Sequence, residues 1–283
     1  MKRLNTMLLI VLAAAVGLFT FYQLWARAAQ DTTGPVIAVE EGLLEISVED
    51  PREALLQGVT AIDDRDGDVT AGVLVESVYG IDENMQSTVI YAAFDRAGNV
   101  TKIQRQIRYK DYRSPRFVVR DSLTFSSGSG FDLLDHVGAV DVLEGDISRR
   151  IHATLVSDTK NISDEGSHKV KLQVTNNLGD TVELVLPVEV YSPEWYSADV
   201  ELTNYLVYLK RGDQLDVRSY LKSFVVRGTE LDLRSGVPAD VSVEIFGSVN
   251  TAIPGVYELS YILTQNLNLT SHSGIAKLIV IVE

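Results

Sequence analysis

Apolar residues fall along this chain in two patterns. Met7–Trp25 is an almost unbroken apolar run, M-L-L-I-V-L-A-A-A-V-G-L-F-T-F-Y-Q-L-W. As a helix, about twenty such residues match the hydrocarbon thickness of a bilayer. After Asp31 the apolar residues alternate with a period of two, which predicts half-buried strands. Val36–Val39, Leu43–Val48 and Val69–Tyr79 are strand candidates. Ser87–Asp95 is apolar on both faces, Val89, Tyr91 and Ala93 against Ile90, Ala92 and Phe94, as in a central strand of a sandwich. Val100–Tyr109 sets Lys102, Gln104 and Gln106 opposite Ile103 and Ile107. Lys169–Thr175 points Val170, Leu172 and Val174 inward, and Val182–Val190 repeats this with Val182, Leu184, Leu186 and Val188. Pro187 lies on the other face of that last run and predicts an edge strand, because proline donates nothing to a ladder. Near the C-terminus Val241–Ile245, Tyr257–Leu263 and Leu278–Val282 alternate as well. No amphipathic helix is expected.

The strands are punctuated by a repeated acidic turn. Ala61–Thr70 reads A-I-D-D-R-D-G-D-V-T, and Ala139–Ser148 reads A-V-D-V-L-E-G-D-I-S. Ala61, Asp63, Gly67, Asp68, Val69 and Thr70 fall on Ala139, Asp141, Gly145, Asp146, Ile147 and Ser148, a constant offset of 78 positions (61 to 139). D-T-T-G-P-V at Asp31–Val36 recurs as D-Y-R-S-P-R at Asp111–Arg116, and Gly128–Val137 matches Arg211–Leu221. A fixed period of this length is that of a small domain rather than of a solenoid turn. The expected organisation is a stub and apolar anchor at 1–30 and three units at 31–110, 111–190 and 191–283.

An Asp…Pro start, then A-x-D-x-x-D-G-D-[VI]-[TS], then an alternating strand running into D-x-A-G-N, resembles the bacterial surface Ig-like domain family. That family includes the Ig-like repeats of pesticidal crystal proteins and is similar to the HYR modules. Unit one carries the pattern best, with Pro35, Ala61–Thr70 and Asp95-Arg96-Ala97-Gly98-Asn99. Unit two has Asn176-Asn177-Leu178-Gly179-Asp180 at the last motif, and unit three keeps P-G-V-Y-E-L-S-Y at Pro254–Tyr261 without a recognisable acidic turn. The resemblance covers the chain after about Asp31. It implies an all-β fold of three tandem Ig-like β-sandwiches behind one N-terminal transmembrane helix. Many short strands, close turn signals and short linkers agree with this and imply a semi-rigid rod.

Lys2 and Arg3 precede the apolar run and Arg27 follows it. This bias leaves the N-terminus in the cytoplasm and exports the rest, and Tyr22 and Trp25 sit where interfacial aromatics belong. The run reads as a retained signal-anchor. A cleaved signal peptide is the competing reading, with Ala26-Arg27-Ala28 as an A-x-A site. Both place residues 31–283 outside the cytoplasm, cell-surface in one case and secreted in the other. The chain ends at Glu283 with no sorting signal or second span, so the expected anchor is N-terminal or absent. It contains no cysteine, which excludes a lipoprotein anchor, thiol catalysis and zinc–cysteine sites, and fits a Gram-positive-type bacterial surface.

The formal net charge is −14. The three basic residues of the first thirty belong to the anchor segment, so the exported part sets 22 basic against 39 acidic side chains, a net −17. Such a surface disfavours nucleic acid and anionic lipid and accepts basic surfaces and calcium. Asp63, Asp64, Asp66 and Asp68 concentrate like charge within six residues. They either splay into water as a solvated turn or share a cation. Calcium takes six to eight oxygen ligands and favours carboxylates on irregular, glycine-bent loops, so these four are candidate calcium ligands. The D-x-A-G-N turn and the resemblance together imply that Asp95 and Asn99 complete the oxygen cage, with Asp141 and Asp146 as a weaker counterpart in unit two.

No nucleophile elbow, P-loop or dinucleotide fingerprint appears, and His136, His152, His168 and His272 stand in no ligand or triad pattern, so no enzyme activity is expected. Arg211-Gly212-Asp213 reads as a turn. Asn99, Asn161 and Asn268 match glycosylation acceptors that only a eukaryotic secretory route would use. The expected role is a membrane-anchored surface stalk or protein-interaction module. One alternative is an adhesin binding a glycan or protein through unit three, with Trp195, Tyr196, Tyr205, Tyr208 and Tyr220 as the candidate face. Another is an accessory subunit of a cell-envelope complex, contacted through the helix.

Overall fold

The computed structural model describes residues 2–156, 161–267 and 270–283. Helix α1 covers Lys2–Ala29. Its stretch Met7–Trp25, 19 residues of mean hydropathy 2.2, is long and apolar enough to cross a membrane.

The remainder is built from strands in three sandwich-like sets of seven. The first set is β1 (Val36–Val39), β2 (Leu44–Ile46), β3 (Val59–Asp63), β4 (Gly67–Asp68), β5 (Leu74–Tyr79), β6 (Gln86–Phe94) and β7 (Val100–Tyr109). The second is β8 (Arg116–Val119), β9 (Thr124–Ser126), β10 (Val137–Asp141), β11 (Gly145–Asp146), β12 (His152–Leu155), β13 (Gly166–Thr175) and β14 (Thr181–Tyr191). The third is β15 (Ala198–Leu202), β16 (Leu206–Leu209), β17 (Leu221–Val226), β18 (Thr229–Asp232), β19 (Val241–Phe246), β20 (Gly255–Leu267) and β21 (Thr270–Val282).

All three sets share one connectivity. A three-stranded sheet has the orders β1-β3-β4, β8-β10-β11 and β15-β17-β18. A four-stranded sheet has the orders β2-β7-β6-β5, β9-β14-β13-β12 and β16-β21-β20-β19. In each set the second strand pairs parallel with the last: Leu44 opposite Ile107, Val190 opposite Phe125, Leu206 opposite Ile279. Every other pairing is antiparallel, and those between consecutive strands are hairpins.

Alternation in the sequence translates into burial. On β6 Val89, Tyr91 and Ala93 have no exposed surface, and β6 lies between β5 and β7 as a two-faced apolar strand should. Phe117, Leu172, Leu186 and Val188 fill the second core, and Phe224, Tyr261, Leu263 and Leu278 the third. A short turn between the second and third strands is pinned to the core in two of the sets. Tyr91 donates its hydroxyl to Leu55 O at 2.6 Å and Tyr261 to Val217 O at 2.6 Å. At the same place in the second set lies a one-turn helix, α2 (Leu133–His136), capped by Asp132 as Asp216 caps the turn at Val217–Tyr220.

The chain divides into two compact units, Met1–Asp111 and Tyr112–Glu283. Inside the second unit two sandwiches share a packed boundary. Leu206 and Ile279 of the last set belong to the core built around Phe117 and Leu172. Tyr208 donates its hydroxyl to Phe117 O at 3.1 Å, and the Arg116 guanidinium lies 4.6 Å from the centre of the Tyr208 ring.

Two details differ from the sequence expectation. β14 is not an edge strand, since β13 and β9 flank it. Pro187 is tolerated because β9 pairs only with Glu189–Tyr191, so at the level of Pro187 that flank has no strand to receive an N–H. Val69–Tyr79 is not one strand: a 3₁₀ turn at Thr70–Gly72 precedes β5, and the β5–β6 register shifts between Val75 and Ser77. At the place of the acidic turn the third set has a hairpin pairing Val226 with Thr229 around Arg227 and Gly228, without carboxylates, as the sequence implied.

Candidate metal centre

The D-D-R-D-G-D sequence folds as a tight hairpin because its carboxylates bond the turn's own backbone. Asp63 Oδ1 accepts from Arg65 N at 2.9 Å and from Asp66 N at 2.8 Å. Gly67 pairs with Asp63 at φ 75°, in the left-handed region that glycine enters without strain. Gly145 holds φ 74° at the same place in the second sandwich. Asp68 accepts from Thr70 N at 2.9 Å, and its carboxyl is held below its ordinary value by the Thr70 side chain and backbone. Asp66 Oδ2 accepts from Arg96 N at 2.7 Å, tying the acidic hairpin to the β6–β7 turn.

That tie brings three carboxylates together. Asp31, Asp63 and Asp95 each offer an oxygen, and these oxygens lie within 4.8 Å of one another. Among the described residues this is the one cluster of three such groups so close. Asp63 is 3% exposed and Asp95 9%. Burial pushes the Asp95 carboxyl up, but hydrogen bonds from the side chain and N–H of Asn99 and from Gly98 and Ala97 outweigh it and hold the group below its ordinary value. Asn99 donates from N at 2.7 Å and from Nδ2 at 2.6 Å to the two Asp95 oxygens, and from Nδ2 to Thr33 O at 3.2 Å. Asp31 accepts from Thr33 N at 3.1 Å, and the half-exposed Arg65 stands 3.6 Å from its other oxygen. Asp63 Oδ2 is buried and has no hydrogen-bond partner.

The structure thus gathers Asp63 and Asp95 of the sequence candidates, backs Asp95 with Asn99, and leaves out Asp64, Asp66 and Asp68. Asp64 is exposed, and the other two are committed to backbone groups. Asp31, the third member of the cluster, was not among the sequence candidates. The signal was in the sequence, since the Asp…Pro pattern that opens the first two units begins with Asp31 in the first.

The second sandwich has the same frame with different occupants. Asp141 Oδ1 accepts from Leu143 N at 2.9 Å and Glu144 N at 3.0 Å, and Glu144 Oε1 accepts from Asn177 N at 2.6 Å in the manner of Asp66. Asn176 stands where Asp95 stands. It donates from Nδ2 to Asp141 Oδ2 at 2.8 Å and to the Tyr112 hydroxyl at 2.8 Å. Tyr112 in turn donates to Asp180 Oδ2 at 2.7 Å. Burial first, and the Asp180 bond second, push the Tyr112 phenol well above its ordinary value. Asp111, the counterpart of Asp31, is engaged by Ser47 Oγ at 2.6 Å and Val48 N at 2.9 Å within the first unit. Asp146 caps Ser148 N at 2.8 Å. In the third sandwich the Asp63 position is apolar. Leu233 N bonds Lys222 O as Val69 N bonds Ala61 O, which sets the fully buried Phe224 at the position of Asp63.

The other singled-out residues are dispersed. Asp213 of the Arg-Gly-Asp turn accepts from Lys210 N at 2.8 Å. Tyr205 is buried, Tyr208 lies at the sandwich boundary, Tyr196 is edge-on to Tyr191, and Trp195 is exposed, so these aromatics form no single face. Asn161 is exposed, Asn99 is hydrogen-bonded as above, and Asn268 lies outside the described residues.

No protein-family model and no curated protein matches the chain. Among solved structures it is similar to the extracellular domain of protocadherin GammaB4, at 10% identity over 88% of this chain and 49% of that one, with a TM-score of 0.20. Drosophila N-cadherin EC1-4 aligns at 14% identity over 79% and 63% of the two chains, with a TM-score of 0.21. The CBM51-2 and INT domains of Clostridium perfringens ZmpB, in complex with GlcNAc, align at 19% identity over 54% and 41%, with a TM-score of 0.22. The chain spans between 41% and 63% of the length of these three. Scores of this size do not establish a shared fold.

Proposed function

We propose that this protein is a membrane-anchored, extracytoplasmic array of Ig-like sandwiches that acts as a surface stalk or protein-interaction module. The observation that carries the reading is one seven-strand connectivity, used three times, behind a 19-residue apolar helical stretch. The charge before that stretch orients the array outward. The role is non-catalytic: His168 contacts Asp164 O at 2.6 Å and His272 contacts Ser197 Oγ at 2.9 Å, contacts within the sandwiches themselves. The dispersal of the unit-three aromatics favours a stalk or protein module over a glycan-binding face.

The test is fractionation and protease accessibility of the full chain carrying a C-terminal tag. The expected result is a carbonate-resistant membrane protein whose tag and sandwiches are digested from outside intact cells, with an N-terminus retained on mass analysis. A soluble cytoplasmic protein, or a tag protected until the cells are lysed, would overturn the reading. Release of a shortened chain into the medium would show a cleaved signal and a secreted array.

A further inference from the structure

We propose that Asp31, Asp63 and Asp95 bind one calcium ion, and that the second sandwich carries an ion-free copy of the same site in which the Asn176 amide takes the metal's place. Three observations carry this.

The first is the size and chemistry of the cluster. Calcium–oxygen bonds are about 2.3–2.6 Å, so two ligand oxygens on opposite sides of an ion lie about 5 Å apart and neighbouring ones closer. Three carboxylate oxygens within 4.8 Å of one another fit around one such ion. All the donors are hard oxygen, with no imidazole or thiolate to select zinc or copper. They hang from two hairpin turns and an entering segment, a looser frame than the strict octahedron that magnesium demands.

The second is the orphaned oxygen. Asp63 is 3% exposed, and its Oδ2 has neither protein partner nor open solvent. Buried polar atoms are almost always paired, and a buried carboxylate oxygen above all. Arg65 reaches Asp31 at 3.6 Å with half its side chain in solvent, and the exposed Arg96 guanidinium pairs with Asp66 at 3.6 Å. Neither satisfies Asp63 Oδ2.

The third is the second sandwich, which serves as an internal control. Its Asp141 holds the same hairpin through Oδ1, and there Oδ2 is satisfied by Asn176 Nδ2. Replacing the carboxylate of Asp95 by the amide of Asn176 removes one negative charge and supplies a donor where the first site has none. The two changes go together, as they must if the first site is completed by a cation and the second is complete without one. Asp31 also lies two residues beyond the end of α1, so the ion fastens the chain leaving the apolar helix to the first sandwich.

The test is equilibrium dialysis of the full chain in detergent against labelled calcium, with thermal melts in calcium and in chelator. One ion per chain is expected, and excess magnesium should fail to displace it. At ten times the dissociation constant one melting transition should rise by roughly 5–10 °C. Asp95→Asn copies the residue the second sandwich already tolerates, so it keeps the fold and should abolish binding. Asp31→Asn should weaken binding at least tenfold. Asp68→Asn and Asp146→Asn should leave it unchanged. No binding at millimolar calcium, binding that survives Asp95→Asn, or binding lost on Asp68→Asn would each overturn the proposal.

Discussion

Asn176 Nδ2 lies 2.8 Å from Asp141 Oδ2, on the spot where the first sandwich sets Asp95 against Asp63. One amide for one carboxylate separates a self-contained polar network from a cluster of uncompensated charge. Asn176→Asp should therefore destabilise the second sandwich in chelator by about 3–5 kcal/mol, the cost of an unbalanced buried charge. Calcium should restore part of the loss, and dialysis should then count a second ion. A melt unaffected by the substitution would mean that Asp141 is not held by this bond.

Lys277 is 6% exposed on its side chain and reaches Glu189 of the second sandwich at 3.1 Å and Glu258 of the third at 2.7 Å. Its stem packs while its ammonium bridges the boundary. Lys277→Ala should cost about 2–3 kcal/mol through lost packing and a lost partner for two carboxylates. Lys277→Met should recover roughly half by keeping the stem. Denaturant melts of the full chain followed by near-ultraviolet circular dichroism would report both.

Alkaline pH should weaken the Tyr112–Glu283 unit. Burial pushes the Tyr205 phenol up to about 12, with only the Leu202 N–H bond opposing, and Tyr208 is likewise raised to about 12. An unfolded tyrosine titrates near 10. Between those values the folded chain keeps protons that the unfolded chain has lost, so stability falls as pH rises from about 10, and the share due to Tyr205 and Tyr208 is spent above about 12. Tyr205→Phe should make the fall of melting temperature across that window shallower.

Gly67 turns the acidic hairpin at φ 75° with open space around its Cβ position. Gly67→Ala should cost about 1–2 kcal/mol, because the strain is in the backbone and not in a clash. Gly145→Ala should cost about the same in the second sandwich. A large difference between the two would show that the hairpins bear unequal load.

The sequence carried the architecture well. Val100–Tyr109 is the strand expected, and Val89, Tyr91 and Ala93 are inward as their spacing implied. Period-two alternation is a local property, so it survives folding. The 78-residue offset between the acidic turns also reappears, residue for residue, in the bonds of Asp63 and Asp141. What sequence proximity could not supply was direction. Asp64, Asp66 and Asp68 share the turn with Asp63, but a hairpin points neighbouring side chains apart, and Asp66 and Asp68 are consumed by backbone groups. Asp31 joins Asp63 from 32 positions away (31 to 63), through the β1–β3 pairing that begins at Val36 opposite Ile62. Pro187 misled for a related reason: an exposed flank was inferred for a whole strand, when one residue beyond the end of a short partner was enough.

The parallel pairing of the second strand with the last, present in all three sandwiches, has a mechanical consequence. Early in each sandwich the chain lays down a strand that runs beside, and in the same direction as, the strand by which it leaves. Tension between a tethered N-terminus and a load at the far end pulls such a pair in opposite senses along its length. The bonds linking Leu44–Ile46 to Ile107–Tyr109, and their counterparts in the other two domains, are then loaded in shear and must yield together instead of peeling one at a time.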